Sequence, residues 1–148
     1  MKWNCKSFAE LTNEELYRLL RARVEVFVVE QNCPYPELDG FDQHALHYYL
    51  EVDGDTAALV RLLPAGSKYD KPSIGRVMVA EKYRGNGYGR ELMERAIEYI
   101  TGVWQEDQIH IMAQEYLKKF YVSLGFRQIS ETFMEDDIPH IDMIWERP

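Results

Sequence analysis

The run Arg84-Gly85-Asn86-Gly87-Tyr88-Gly89 constrains this chain more than any other. An apolar, strand-like stretch at residues 74–80 precedes it, and residues 90–100 follow with helical spacing. A strand that breaks at glycines and restarts as a helix makes an anion site. The first helical N–H groups lack intrahelical partners, and the helix dipole puts partial positive charge at that end. Glycine permits positive φ and lets a phosphate approach the backbone closely. The run therefore implies a strand–loop–helix unit that holds a pyrophosphate, and so a nucleotide-type cofactor.

Two familiar phosphate loops do not fit. A dinucleotide fingerprint starting at Gly85 needs glycine or alanine where Arg90 stands. A P-loop needs Gly-Lys-Ser/Thr, which does not occur. The spacing that fits is Arg-x-x-Gly-x-Gly, through Arg84, Gly87 and Gly89. With the preceding Val77-Met78-Val79-Ala80-Glu81-Lys82-Tyr83, it resembles the acetyl-CoA loop of the GNAT superfamily of N-acetyltransferases. A second segment, Ala113-Gln114 followed by Phe120-Tyr121-Val122-Ser123-Leu124-Gly125-Phe126, is similar to that superfamily's other hallmark. Both stand in the family's order. Arg23, Val26-Phe27-Val28-Val29-Glu30-Gln31, Cys33-Pro34-Tyr35, Glu37-Leu38-Asp39-Gly40 and Ile138-Pro139-His140 resemble its ElaA-like branch, so the likeness covers nearly the whole chain.

The resemblance implies acetyl-CoA as co-substrate. The backbone of Val77, Met78 and Val79 then pairs with the pantetheine arm, and the N–H groups from Gly85 through Asn86, Gly87, Tyr88 and Gly89 to Arg90 hold the pyrophosphate. Arg84, Arg90 and Lys118 or Lys119 offer positive charge, and Gln114 offers an amide to the arm. Tyr121 stands where the family has its general acid, since a phenol can protonate the departing sulfur. Its alternative role is core packing beside Phe120. Neither motif contains a cysteine, which points to direct transfer in a ternary complex rather than an acyl-enzyme.

The general base is less legible. The strand at residues 108–113 has no carboxylate. Candidates on the substrate side are Glu30, His47, Glu51, His140 and Asp142, each of which has a competing surface or hydrogen-bonding role. Tyr35, Tyr48 and Tyr49 are candidates to line a cleft or to pack in the core. His44 and His47 lie three apart, but no third ligand completes a metal set. Because a base is missing, a non-catalytic acyl-CoA-binding sensor or regulatory module stays open beside the enzyme.

The remaining elements follow from periodicity. A first strand is expected at residues 3–8. Thr12 and Glu15 have capping-box spacing before a helix carrying Leu16, Leu19, Leu20, Val24 and Phe27. Asp53-Gly54 marks a hairpin between strands at 46–52 and 56–63. Residues 115–124 read as a short helix closed by Gly125. Residues 128–134 and 140–145 read as a last strand pair around Glu135, Asp136 and Asp137. This order predicts a single α/β domain of α+β type over residues 1–148, with a mixed, mostly antiparallel sheet and helices on both faces.

A formal net charge of -8 argues against nucleic acid or an anionic membrane as partner. Together with Glu30, Glu51 and Asp142, it points to a cationic amine acceptor, a small molecule or a peptide. Cys5 and Cys33 read as free thiols. With no apolar signal core and no membrane-length run, a cytoplasmic location is expected. Oligomeric state and acceptor identity have no sequence signal.

Overall fold

The computed structural model describes residues 1–148. The strands are β1 (Lys2–Ser7), β2 (Leu46–Val52), β3 (Asp55–Leu63), β4 (Ser73–Val79), β5 (Gln108–Gln114), β6 (Phe126–Gln128), β7 (Phe133–Glu135) and β8 (Ile138–Glu146). The helices are α1 (Asn13–Val24), α2 (Tyr88–Gly102) and α3 (Lys118–Ser123). One sheet has the order β1-β2-β3-β4-β5-β8-β6, and β7 also pairs with β8. Only β4 and β5 run parallel; every other pair is antiparallel.

Side-chain alternation along β3 separates two apolar layers. Ala58, Val60 and Leu62 share a core with Leu92, Met93, Ala96 and Ile100 of α2. Leu59, on the opposite face, packs with Leu19 of α1, Tyr49 and Met78. The helices thus cover both faces. The Thr12–Glu15 capping box forms, with both reciprocal bonds made. Asp53 and Gly54 take the positive φ that a two-residue hairpin turn needs, 51° and 81°.

Two expectations change. The helical spacing read through Phe27 does not continue as an α-helix. After Val24 the chain widens into a π-helical segment, Glu25–Glu30, in which Gln31 N–H donates to Val26 O at 3.1 Å. The strand expected at 128–134 is split into β6 and β7 along one edge of β8. Ser130 causes the break, because its Oγ takes the Asp142 N–H at 2.9 Å in place of a ladder carbonyl.

The loop at residues 31–45 is tied down by buried charge. Arg23 of α1 donates from Nε to Glu37 at 2.6 Å and from Nη1 to Asp42 at 2.7 Å. Arg61 of β3 grips both oxygens of Asp39, each at 2.8 Å. Arg76 of β4 donates from Nε to Glu37 at 2.7 Å. Three arginines against three carboxylates leave the cluster balanced, which is what makes its burial tolerable.

Burial alone pushes the Asp39 carboxyl up, but Arg61, then the Phe41 N–H and Arg76, outweigh it and hold it at about 2. Asp42 is lowered in the same sense, burial being outweighed by Arg23 and Arg61. A depressed carboxylate stabilises the fold above its unfolded pKa and loses that contribution as pH falls through its folded one. Tm should be level from neutral pH to about pH 5 and fall between about pH 4 and about pH 2. Asp39→Asn should have a lower Tm at neutral pH and a shallower acid decline, read by calorimetry. An identical acid decline in both proteins would mean that Asp39 is not depressed.

Candidate active site

The site begins where two neighbouring strands stop pairing. β4 and β5 meet at one register pair, Ser73 with His110, reinforced by His110 N–H donating to Pro72 O at 2.9 Å. Beyond that pair the β4 edge facing β5 has no strand partner. β4 also carries one residue more than β3 opposite it, a bulge at which Arg76 adopts a φ of 54°. Bulges increase local twist and bend the strand. A cavity of about 690 Å³ fills the fork, and Val77, Met78 and Val79 line it from β4.

Arg84 and Gly89 from the glycine loop and Phe120 and Tyr121 from α3 line part of the cavity, while Gly85, Asn86 and Gly87 lie outside its wall. Gly85 and Gly87 take φ of 85° and 77°, and a Cβ at either would meet no atom within 4 Å. These glycines are required for conformation and leave the space before α2 open. Gly87 caps α2 with no side-chain bond, so the first N–H groups are not capped by a side chain. Gly89, in the first turn of α2, has no such conformational requirement: its φ is not positive, and a Cβ there would make ordinary contacts at 3.6 Å to Val79 and 4.0 Å to Phe120. Asn86 closes the loop by donating to Tyr83 O at 2.9 Å. Tyr88 packs against the α2-side core rather than lining the cavity.

Open space, uncapped donors and an unpaired strand edge fit a pyrophosphate joined to an extended arm. The cations are arranged differently from expectation. Arg84 lines the cavity but pairs with Glu30 through two contacts, 2.8 and 2.9 Å. The Arg90 side chain ties α2 to α3 through Ser123 and the Phe120 ring and does not line the cavity. Lys118 and Lys119 are exposed on α3, outside the cavity wall.

Tyr121 lines the cavity between the Phe120 and Phe126 rings. It belongs to the core and to the site at once. Burial, with a smaller contribution from Tyr116, pushes its pKa well up, so the phenol keeps its proton at neutral pH. Gln114 also lines the cavity and donates to Gln31 at 3.2 Å. The π-helical segment explains why adjacent residues reach opposite walls: Glu30 turns to Arg84 and Gln31 to Gln114.

Of the five base candidates, the fold brings Glu30 and His140 to the cavity and leaves three outside it. Glu30 is committed to Arg84. His47 is buried on β2, facing Asp42 O at 3.0 Å. Burial lowers its pKa, so it stays neutral. Glu51 lies opposite Lys2, at the far end of β2. Asp142 faces His110, 3.1 Å away. Of the carboxylates that pointed to a cationic acceptor, Glu30 and Asp142 are thus paired and Glu51 is remote, whereas Glu135 and Asp136 of the acidic turn line the cavity.

His140 remains. Its Nδ1 lies 2.7 Å from the Ile138 carbonyl. A carbonyl only accepts, so Nδ1 carries a proton, and in the neutral ring Nε2 is the nitrogen with a free lone pair. The Phe133 ring stacks on it at 6.3 Å.

Several lining residues escaped sequence reasoning, notably Gln31, Lys68, Tyr69 and Arg76. They lie on loops or at the bulge, where spacing carries no signal. Of the three tyrosines proposed for a cleft, Tyr35 lines it; Tyr48 packs on Trp3 and Tyr99, and Tyr49 sits under α1.

The family model for the acetyltransferase (GNAT) domain matches residues 9–147. The chain belongs to the GNAT acetyltransferases. It is 38% identical to the ElaA protein of Escherichia coli over 99% of this chain and 97% of that protein. The crystal structure of E. coli ElaA superposes with a TM-score of 0.92 at 37% identity, covering 98% of this chain and 99% of that one. An acyl-CoA N-acyltransferase from Pseudomonas aeruginosa superposes equally well, with a TM-score of 0.92, 41% identity and the same coverage. The protein therefore sits on the ElaA-like branch of the GNAT family. Acyl transfer is the general chemistry this membership supports.

The loop geometry makes a direct prediction. An L-residue at the φ of Gly87 is strained whatever the space around it, by about 1–2 kcal/mol. Gly87→Ala should lose roughly that much stability in urea titration, whereas Gly89→Ala, whose φ is not positive, should lose clearly less. Equal losses would refute the conformational role of Gly87.

Proposed function

We propose that this GNAT protein is an acetyl-CoA-dependent N-acyltransferase that moves an acetyl group directly to an amine in a ternary complex. The observation that carries this reading is the fork between β4 and β5, with the glycine loop and Tyr121 on one side and His140 on the other. An unpaired strand edge accepts an extended amide-bearing arm by the same hydrogen bonds that a neighbouring strand would use. The N–H groups from Gly85 to Arg90 then hold the pyrophosphate, and Gln114 bonds to the arm. When bound, acetyl-CoA supplies a thioester whose carbonyl carbon an amine can attack.

The chain's own residues handle the protons. His140 Nε2 takes one from the attacking amine. The Tyr121 hydroxyl, kept protonated by burial, gives one to the sulfur as it leaves. The nitrogen–carbon bond forms, the carbon–sulfur bond breaks, and no covalent enzyme species is needed. The cytoplasm, where CoA esters are made, suits this reading. No helix is long and apolar enough to cross a membrane.

Tyr121→Phe should lower turnover by roughly 10²–10⁴-fold, with acetyl-CoA affinity little changed by calorimetry. His140→Gln should lower turnover on a similar scale. Wild-type turnover in Tyr121→Phe returns Tyr121 to core packing. Tight acetyl-CoA binding with no transfer to any amine would instead favour the non-catalytic acyl-CoA sensor.

A further inference from the structure

The acceptor side of the cavity has an imbalance of hydrogen-bonding groups that identifies what it can hold. Each carboxylate oxygen of the buried cluster already accepts a bond. Glu37 Oε1 takes the Tyr35 hydroxyl, and Oε2 takes Arg23 and Arg76. Asp39 takes Arg61 on both oxygens, with Phe41 N–H and Arg76 as further donors. Asp42 takes Arg23 on both oxygens and Arg61 on one. Every carboxylate oxygen of the cluster is thus engaged by at least one donor, which leaves it little affinity for a further cation.

It does have a donor to spare. The bonds of Arg76 use Nε and Nη2. Its Nη1 has no partner, and it is not among the sealed, unpaired atoms of the fold. Arg76 lines the cavity with its plane against the Tyr35 ring, 5.6 Å from the centroid, so the guanidinium is held rigidly.

Lys68, in the β3–β4 loop, lines the same wall with its ammonium over the Tyr69 ring at 5.7 Å. No carboxylate lies within ion-pair distance of it. Partial desolvation, then the charges of Arg61 and Arg76, lower its pKa, while Asp39 and Glu135 oppose them. Glu135 and Asp136 also face this side from an exposed hairpin turn; water and salt screen them as they screen the exposed Lys68, and Arg76 is the more buried of the two cations.

We infer that the acceptor of this acyltransferase carries an anionic group, a carboxylate in the first instance, held by Arg76 Nη1 and Lys68 while its amine faces His140. The inference rests on the acyltransfer reading and replaces the cationic amine suggested by net charge. Arg76 on β4 and His140 on β8 line the same cavity, with β5 between their strands. An amino acid or an acidic peptide N-terminus carries an amine and a carboxylate on one molecule, as these groups require.

The test is an acceptor panel in which amino acids are compared with their amides and with the decarboxylated amines, at equal concentrations of neutral amine. The wild type should prefer the carboxylated acceptors in kcat/KM by about ten- to a hundredfold, the scale of one or two charge-assisted hydrogen bonds. In Lys68→Met that ratio should fall towards one, mainly through KM, with acetyl-CoA affinity unchanged. Equal or better use of the amides and amines by the wild type would overturn the anion site and leave acyltransfer standing. If no amine is acetylated although acetyl-CoA binds, the acyltransfer reading fails by itself. Calorimetry with N-acetyl amino acids against their N-acetyl amides then decides the anion site. A carboxylate preference that Lys68→Met abolishes sustains it, and no preference overturns it.

Discussion

The parting of β4 and β5 after a single register pair is the constraint on which the rest of this molecule depends. A parallel pair normally continues until one strand ends. Here β4 continues with its other edge on β3, through Val79, while the edge towards β5 loses its partner. Unpaired backbone groups inside a protein are costly unless something satisfies them. The fork therefore leaves the β4 edge facing the cavity without a strand partner. The bulge at Arg76 helps to hold it open, and the single contact at Ser73 and His110 keeps the two halves of the sheet in one body.

Arg76 links the fork to the charge cluster. Its backbone sits in a region that non-glycine residues seldom occupy, and its guanidinium is locked to Glu37 and Asp39. Strain of this kind persists only where the surroundings over-determine it. Arg23 from α1 and Arg61 from β3 converge on the same loop, so the loop over the acceptor side is fixed to both helix and sheet. Breaking such a buried pair leaves an uncompensated charge, which is far more damaging than losing a surface pair. The cluster thus fixes the acceptor wall through Arg76, which lines the cavity with Nη1 unbonded.

Much of the fold was legible because it rests on local signals. The Thr12–Glu15 box, the Asp53-Gly54 turn and the period of α2 each depend on residues close in sequence, and each formed. The misread elements depended on contacts that spacing does not encode. The π-helical widening at Glu25–Glu30 places Glu30 and Gln31 on two different walls. The split between β6 and β7 depends on a single Ser130 hydroxyl that replaces a ladder bond. Both look like ordinary helix and strand in a one-dimensional pattern.

By itself, the sequence determined the strand–loop–helix unit, the need for glycine at positions 85 and 87, and the presence of Tyr121 in the second motif. Those features follow from backbone sterics and short-range spacing, which survive without knowledge of the fold. Tertiary structure alone decided which charges are available. Net acidity suggested a cationic acceptor, but folding pairs Glu30 with Arg84, turns Asp142 to His110, and saturates Glu37, Asp39 and Asp42 with arginine. What lines the acceptor side is His140 on β8, Lys68 with no carboxylate within ion-pair distance, and Arg76, whose Nε and Nη2 are taken by Glu37 and Asp39 while Nη1 is free, with Glu135 and Asp136 exposed on the hairpin turn. Electrostatic character at a site is set by the groups left unpaired there, and only the three-dimensional pairing reveals which those are.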